Sequence, residues 1–242
     1  MKPSDLDSQD NFIITSRKKP ISFQRKLFWA GGIAIAFWGL YLILAWRGYF
    51  PPVNYLADVL FASSPDSPWH SQLPQINALN YSRPIAEIIN LPKIDKNKVS
   101  ILIEKSQSRL TVYYDRQPTK SYPVVLGFNP VGDKLKEGDG KTPEGILQVK
   151  DFYPHHSWSK FLWLDYPNKS SWIKNSRAKV AGKVGWWETI GGEVGIHGIP
   201  AGQDSLIDQK SNWTWGCISL KNQDVDEIYQ LVQKGTIVEI IR

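Results

Sequence analysis

Cysteine is nearly missing from this chain, because Cys217 is the only one among 242 residues. A single cysteine excludes an intramolecular disulfide framework and a cysteine-rich zinc site. Histidine is also scarce, with four residues, two of which are the neighbours His155 and His156. Adjacent histidines rarely point the same way along a strand, so they do not make the convergent ligand set of a metal centre. We therefore expect no metal site.

A strong charge of one sign is missing as well. The chain has 29 Lys and Arg residues against 23 Asp and Glu residues, a net charge of +6. A nucleic-acid-binding domain concentrates a basic stripe on its folded part. Basic and acidic residues are close to balanced from Lys98 onward, so we expect no nucleic-acid partner. The 42% hydrophobic content also excludes a disordered or collagen-like chain.

One long apolar run stands out near the beginning of the sequence. Residues 27–46 are twenty residues without a charge, with Trp29 and Trp46 near the two ends. About twenty apolar residues span the roughly 30 Å hydrocarbon core of a bilayer, and tryptophan favours its interfaces. The run is longer than the roughly 7–15 residues of a signal-peptide core, and no A-x-A cleavage site follows it. We interpret residues 27–46 as a retained transmembrane helix.

The charges beside this run predict its orientation. Five basic residues lie within the ten positions before it, whereas only Arg47 follows before Arg83. The positive-inside rule then places residues 1–26 in the cytoplasm and exports the remainder across the inner (plasma) membrane, as a periplasmic or extracellular part. We expect a stem or linker over residues 47–97 and a folded domain over residues 98–242. The prolines in residues 51–74 favour an extended spacer.

The pattern from Val99 onward predicts a mainly β domain with a few helices. Short runs rich in Val, Ile, Tyr and Leu alternate with Gly, Asp or Pro turns. Apolar spacing predicts a late helix over Asp224–Gln233, with Asn222 as its N-cap. The predicted strands are Val99–Ile103, Leu110–Tyr114, Ser121–Leu126, Ile146–Phe152, Phe161–Leu164, Val194–His197 and Thr236–Ile241.

Two short motifs carry the candidate chemistry. His197 lies in a Gly-Ile-His-Gly segment, and Cys217 follows Gly216 about twenty residues later. A thiol with its ordinary pKa of about 8.5 is mostly protonated at pH 7, so a catalytic cysteine needs a base, which histidine commonly supplies. The N–H groups of Gly216 and Cys217 would form an oxyanion hole. The alternative is a small buried cysteine and a core histidine, and the residue types alone leave both open.

The arrangement of motifs resembles the YkuD-type L,D-transpeptidases, and most of all their YafK-like branch. Ile196–Gly198 reads Ile-His-Gly, and Thr214–Leu220 reads Thr-Trp-Gly-Cys-Ile-Ser-Leu. Upstream, residues 138–145 read Gly-Asp-Gly-Lys-Thr-Pro-Glu-Gly, as in the first half of that family. The resemblance covers about residues 98–242. It implies a mainly β sandwich, an exported site acting on peptidoglycan stem peptides, and a mechanism that needs no cofactor.

The resemblance also implies a role for each motif residue. Cys217 would be the nucleophile that attacks the L-to-D peptide bond of a tetrapeptide stem and forms a thioester. His197 would be the general base, oriented through the backbone at Gly198. Gly216 would share the oxyanion role with Cys217, and Thr214 occupies the hydroxyl position of the motif.

The sequence departs from the family pattern beside the nucleophile. Trp215 replaces a common histidine, and Ser219 stands where Asn or Arg is frequent. We expect Trp213, Trp215 and Ser219 to contact substrate. The acceptor would be a diamino-acid amine of another stem or a lysine of a lipoprotein. Two alternatives stay open: a hydrolase that cleaves peptidoglycan–lipoprotein links, and a catalytically silent peptidoglycan-binding module.

Overall fold

The computed structural model describes most of the chain in four stretches. The chain divides into two compact units, of which the first ends at Leu42 and the second runs from Ile43 to Arg242. The predicted cytoplasmic tail lies largely outside the described residues, as do parts of the predicted spacer. The described residues are 23–61, 67–70, 78–90 and 93–242.

The predicted apolar helix is present as α1, Phe23–Trp46. Its segment Phe28–Trp46 has 19 residues with a mean hydropathy of 1.9, and only 6% of that window is buried. Its length and composition are sufficient for a membrane span, and its exposure is unlike that of a core helix in a soluble domain.

The second unit contains a mixed sheet with few helices, which confirms the predicted mainly β class. The strands lie in the order β3-β2-β1-β8-β4-β5-β6-β7. The β1–β8 and β6–β7 pairs are parallel and all others are antiparallel. The strands are β1 Val99–Glu104, β2 Arg109–Tyr114, β3 Gln117–Pro123, β4 Gly145–His155, β5 Ser159–Leu164, β6 Gly195–His197, β7 Ile218–Ser219 and β8 Ile237–Ile241.

The long strand β4 joins the two parts of the sheet. Its beginning pairs with β8, and its end pairs with β5 after an irregular register between Val149 and Asp151. Beyond β5, the short strands β6 and β7 lie side by side, with His197 opposite Ser219. All seven predicted strands overlap observed ones, whereas β7 was not predicted. This last pair of strands brings the two sequence motifs together.

The late helix is observed as α6, Asn222–Leu231, two residues earlier than predicted. Asn222 is not its N-cap, because that position belongs to Lys221. The Asn222 side chain instead accepts a hydrogen bond from the Ile199 N–H at 3.0 Å. The other helices are α2 Leu56–Phe61, α3 Ile85–Ile89, α4 Lys169–Val180 and α5 Ser205–Asp208.

The described part of the predicted spacer is folded, so an extended conformation is wrong for that part. A 3-10 turn at Val53–Tyr55 continues into α2. Tyr55 and Val59, one helical turn apart, pack against the main core, and this burial outweighs the tendency of the flanking prolines to extend the chain. Further along, the buried His70 side chain contacts Glu239 of β8 at 2.8 Å.

Candidate active site

The turn that carries Cys217 depends on the glycine before it. Gly216 has a φ of +137°, and a Cβ at this position would lie 2.6 Å from the Lys141 carbonyl oxygen. A larger residue would therefore push this turn away from the Lys141 backbone. Cys217 follows and leads directly into β7.

His197 ends the neighbouring strand β6 with its ring fixed by the backbone. Its Nδ1 lies 2.6 Å from the Gly198 carbonyl oxygen. Because a carbonyl only accepts, Nδ1 carries the proton and Nε2 keeps its lone pair. The hydroxyl of Ser219 donates to the same carbonyl oxygen at 3.0 Å. The tautomer of His197 is thus the one a general base needs.

Aromatic rings enclose His197. Trp158 stacks on the imidazole with ring centroids 4.3 Å apart, and Phe161 lies nearly parallel to it at 5.8 Å. Trp213 approaches the imidazole edge-on at 5.6 Å. His197 is 2% exposed, and this burial lowers its pKa to about 4. The imidazole is therefore neutral at pH 7.

The Cys217 thiol is half-buried and donates to the Glu193 carbonyl oxygen at 3.5 Å. Burial raises the pKa of Cys217 to about 11, and the Glu193 charge acts in the same direction, while the Gly195 backbone and Lys134 oppose it. At rest the site therefore has a protonated thiol, bonded to the Glu193 carbonyl, and a neutral imidazole at the end of the neighbouring strand. This state requires proton transfer to accompany nucleophilic attack.

Thr214 organises the backbone around the nucleophile. Its hydroxyl donates to the Cys217 carbonyl oxygen at 2.6 Å and accepts from the Gly216 N–H at 3.2 Å. The predicted hydroxyl position is thus occupied by a buried residue that holds the turn. The Gly216 N–H, one of the two predicted oxyanion donors, is bonded to Thr214.

The three predicted substrate-contact residues lie in different environments. Trp215 is 71% exposed and packs edge-on against Phe128. Trp213 is half-buried, and its Nε1 has no hydrogen-bond partner among the described residues. Ser219 is fully buried. Of the three, Trp215 alone presents a large surface to solvent.

Residues 98–240 match the family described as L,D-transpeptidase catalytic domain, YkuD. The match covers more than half of the chain. This protein belongs to that family. No curated protein matches the chain.

Several solved structures share similarity with the L,D-transpeptidase domain. The helical cell shape determining protein Pgp2 from Campylobacter jejuni is 29% identical, with 59% of this chain and 46% of that chain covered and a TM-score of 0.44. Bd1075 from Bdellovibrio bacteriovorus is 21% identical, with coverage of 60% and 48% and a TM-score of 0.42. An L,D-transpeptidase from Mycobacterium smegmatis is 14% identical, with coverage of 60% and 59% and a TM-score of 0.40. The chain spans about half the length of the first two.

Two clefts flank the thiol of this L,D-transpeptidase domain. The first, which we name the aromatic cleft, has a volume of about 320 Å³ and contains Cys217 itself. The second, the strap cleft, has a volume of about 800 Å³ and is bounded partly by the segment that follows α1. The aromatic cleft is lined by His155, Trp158, Phe161, Trp163, Glu193 and Cys217. The strap cleft is lined by residues including Trp46, Arg47, Lys134, Glu137, Glu193 and Trp215.

The aromatic cleft, which contains Cys217, shares two of its rings with His197. Trp158 and Phe161 contact the His197 ring and also line the cleft that holds Cys217. His155 stacks on the other side of Trp158 at 4.4 Å. The sequence alone did not identify Trp158 and Phe161 as site residues. The high density of tryptophans was the only signal that pointed to Trp158.

A metal centre has no visible basis in the described ranges. Within residues 23–61, 67–70, 78–90 and 93–242, no group of three or more His, Cys, Asp or Glu side chains converges. The adjacent His155 and His156 rings stack on each other at 4.8 Å. His155 therefore belongs to the wall of the aromatic cleft.

Proposed function

We propose that this protein is a membrane-anchored cysteine L,D-transpeptidase that acts on tetrapeptide stems of peptidoglycan. The observation that carries the proposal is the His197 tautomer, fixed by the Gly198 carbonyl in a stack that also walls the Cys217 cleft. A silent binding module gains nothing from an oriented base whose stacking rings also wall the cleft of a lone thiol.

The first half-reaction uses the neutral pair. The Cys217 sulfur attacks the carbonyl of the L-to-D peptide bond while its proton passes to His197 Nε2. The tetrahedral intermediate collapses, the C–N bond breaks, and His197 returns the proton to the departing terminal D-residue. A thioester remains on Cys217. We assign the main oxyanion contact to the Cys217 N–H, since the Gly216 N–H already donates to Thr214.

The second half-reaction transfers the acyl group to an amine. His197 takes a proton from the acceptor, the amide bond forms, and the proton restores the thiol. The acceptor is the side-chain amine of a diamino acid on another stem or a lysine of a lipoprotein. Water in place of the amine would make the same site a hydrolase.

The anchor proposal rests on α1. Residues 27–46 would cross the inner membrane once, with residues 1–26 in the cytoplasm and residues 98–242 exported as the catalytic domain. The length and hydropathy of Phe28–Trp46 support a span. The basic residues before the apolar run support this direction of insertion.

The test uses the full chain in detergent, as wild type and as Cys217→Ala. Each protein is incubated with purified tetrapeptide muropeptides and with lipoprotein-bearing sacculi, and the products are read by mass spectrometry. We expect a thioester adduct and cross-linked dimers with the wild type, and neither with Cys217→Ala. Released lipoprotein peptide without dimers would reassign the protein as a hydrolase. No adduct and no product would favour the binding module.

A further inference from the structure

The segment that follows α1 is fixed to the catalytic domain. We name residues 47–61 the strap. The Gly48 carbonyl accepts from the Ile190 N–H at 3.0 Å, and the Tyr49 carbonyl accepts from Lys179 Nζ at 2.6 Å. Lys179 is 4% exposed, so this bond is sheltered from water. The strap is therefore an ordered part of the domain surface, held there by hydrogen bonds.

The strap cleft adjoins the nucleophile without containing it. Glu193 lines both clefts, and its backbone carbonyl accepts the Cys217 thiol bond. Trp215, two residues before the thiol, borders the strap cleft. A ligand in the strap cleft therefore lies next to the residue whose carbonyl accepts the bond from the thiol. Two substrates meet at one thioester in a transpeptidase, and the molecule offers two clefts that meet at one residue.

The charges in the strap cleft select the chemistry of its occupant. Glu137 and Glu193 are exposed and line its edge, whereas Lys134 is buried and bonded to Asp139 at 3.0 Å. Arg47 adds one positive group to the lining. Two accessible carboxylates suit an ammonium group, and the guanidinium suits a neighbouring carboxylate.

We propose that the strap cleft binds the amine acceptor, with the strap as one wall and Glu137 and Glu193 attracting the incoming ammonium. The aromatic cleft then holds the acyl donor. This inference rests on the proposed function and names the substrate of its second half-reaction: a peptide that presents a primary amine. The bound ammonium first releases one proton to water. The resulting amine then forms the C–N bond, the C–S bond of the thioester breaks, and the second proton of the amine passes to sulfur through His197.

Two variants test the two parts of the cleft separately. Glu137→Gln removes one carboxylate at the edge, and Glu87→Gln is the matched change on α3, outside both clefts. Lys179→Met releases the Tyr49 carbonyl, and Lys183→Met is the matched change at an exposed position. Full-length proteins are compared by thioester yield and by the ratio of cross-linked to hydrolysed product. Acceptors are a diamino-acid stem and a lysine-terminated peptide in separate reactions, which identifies the source of the amine.

We expect Glu137→Gln and Lys179→Met to form the thioester at the wild-type level. Their ratio of transfer to hydrolysis should fall about fivefold, the size expected for one lost charge contact or a shifted wall. The loss in Glu137→Gln should shrink at high salt, because an exposed charge is screened. Glu87→Gln and Lys183→Met should keep the wild-type ratio.

The outcomes separate this inference from the proposed function. A normal thioester with an unchanged ratio in both variants overturns the acceptor assignment and leaves the transpeptidase proposal standing. A wild type that never forms a thioester overturns the proposed function and this inference with it. Circular dichroism monitors folding, and if Lys179→Met unfolds, the result for Glu137→Gln decides.

Discussion

The two clefts near Cys217 are lined by different kinds of structural element. The aromatic cleft is walled by rings on and between β4 and β5, which pair regularly from Asp151 opposite Trp163 to His155 opposite Ser159. The strap cleft, more than twice as large, is walled by loops and by the segment that follows α1. A sheet holds side chains with little freedom, while loops tolerate change. The difference suggests that the acyl-forming chemistry is held rigidly, whereas the choice of acceptor is left adjustable.

This contrast also separates the effects of substitutions. Residues of the aromatic cleft hold the base as well as the donor, so their loss should slow thioester formation. Although Glu193 lines both clefts, the residues of the strap cleft are neither stacked on His197 nor bonded to it. Their loss should change the fate of the thioester and leave its formation intact.

The largest effect is expected for Trp158→Ala. This change removes the ring that stacks on His197 at 4.3 Å and opens the donor side of the cleft. A base displaced by about 1 Å costs on the order of a hundredfold in rate, so thioester formation should fall by that amount. Stopped-flow acylation followed by intact mass measures the rate.

Trp163→Ala is the control for that experiment. Trp163 lines the same cleft but contacts Lys150, whose Nζ lies 4.2 Å from its ring centroid. An equal loss of rate in both variants would show that Trp158 acts only as a cleft wall, and would break the link between the cleft and the base.

A smaller effect is expected for Trp215→Ala on the other side of the thiol. Trp215 is 71% exposed and supported by Phe128, so its removal leaves the base and the turn in place. Thioester formation should stay at the wild-type rate, while amine transfer falls about fivefold through lost acceptor contact. Trp69→Ala is the control, because Trp69 is a half-exposed tryptophan distant from Trp215 in the sequence. Slower acylation in Trp215→Ala would contradict the assignment of separate roles to the two clefts.

The sequence alone indicated the candidate pair because the two motifs are local. His197 and Cys217 each lie in a short pattern whose glycines have identifiable reasons. A Cβ at Gly198 would lie 2.1 Å from Asn222 Oδ1, and one at Gly216 would meet the Lys141 backbone. The pattern indicated both glycines, although only the fold reveals the groups that exclude a side chain.

The role of Trp158 could not be predicted from the sequence because it depends on strand register. Phe161 of β5 pairs with His197 of β6, although 36 positions separate them, and this pairing places Trp158 over the imidazole. Among 11 tryptophans, no local pattern distinguishes the one that reaches the base. Register is a property of the assembled sheet.

The strap was misread for a similar reason. Its prolines are a strong local signal, while the compensating contacts of Tyr55 and Val59 are made with a distant core. Helix α4 was missed although Asn168 caps it, because its buried face consists mainly of Trp172 and polar side chains. Tertiary burial decided both segments against their local composition.

The smallest effect is expected for Ser219→Ala. This variant tests whether the orientation of the His197 ring limits acylation. The hydroxyl shares the Gly198 carbonyl with His197, and its loss leaves no buried donor unsatisfied. Acylation should fall about threefold, since one hydrogen bond contributes roughly 1 kcal/mol and acts here only through ring orientation.

The pH profile distinguishes positioning of the base from simple destabilisation. Burial lowers the pKa of His197 to about 4, so the base is neutral above that pH and the acylation rate falls as the pH drops through it. Without Ser219, the carbonyl accepts from His197 alone, which stabilises the imidazolium and should move the acid limb of the profile upward. Ser121→Ala removes an equally buried hydroxyl, bonded to Thr111 at 2.9 Å and remote from the site. We expect Ser121→Ala to lose as much stability as Ser219→Ala but to keep the wild-type midpoint on the acid side of the pH–rate profile. If the two variants have the same midpoint, Ser219 contributes only to packing.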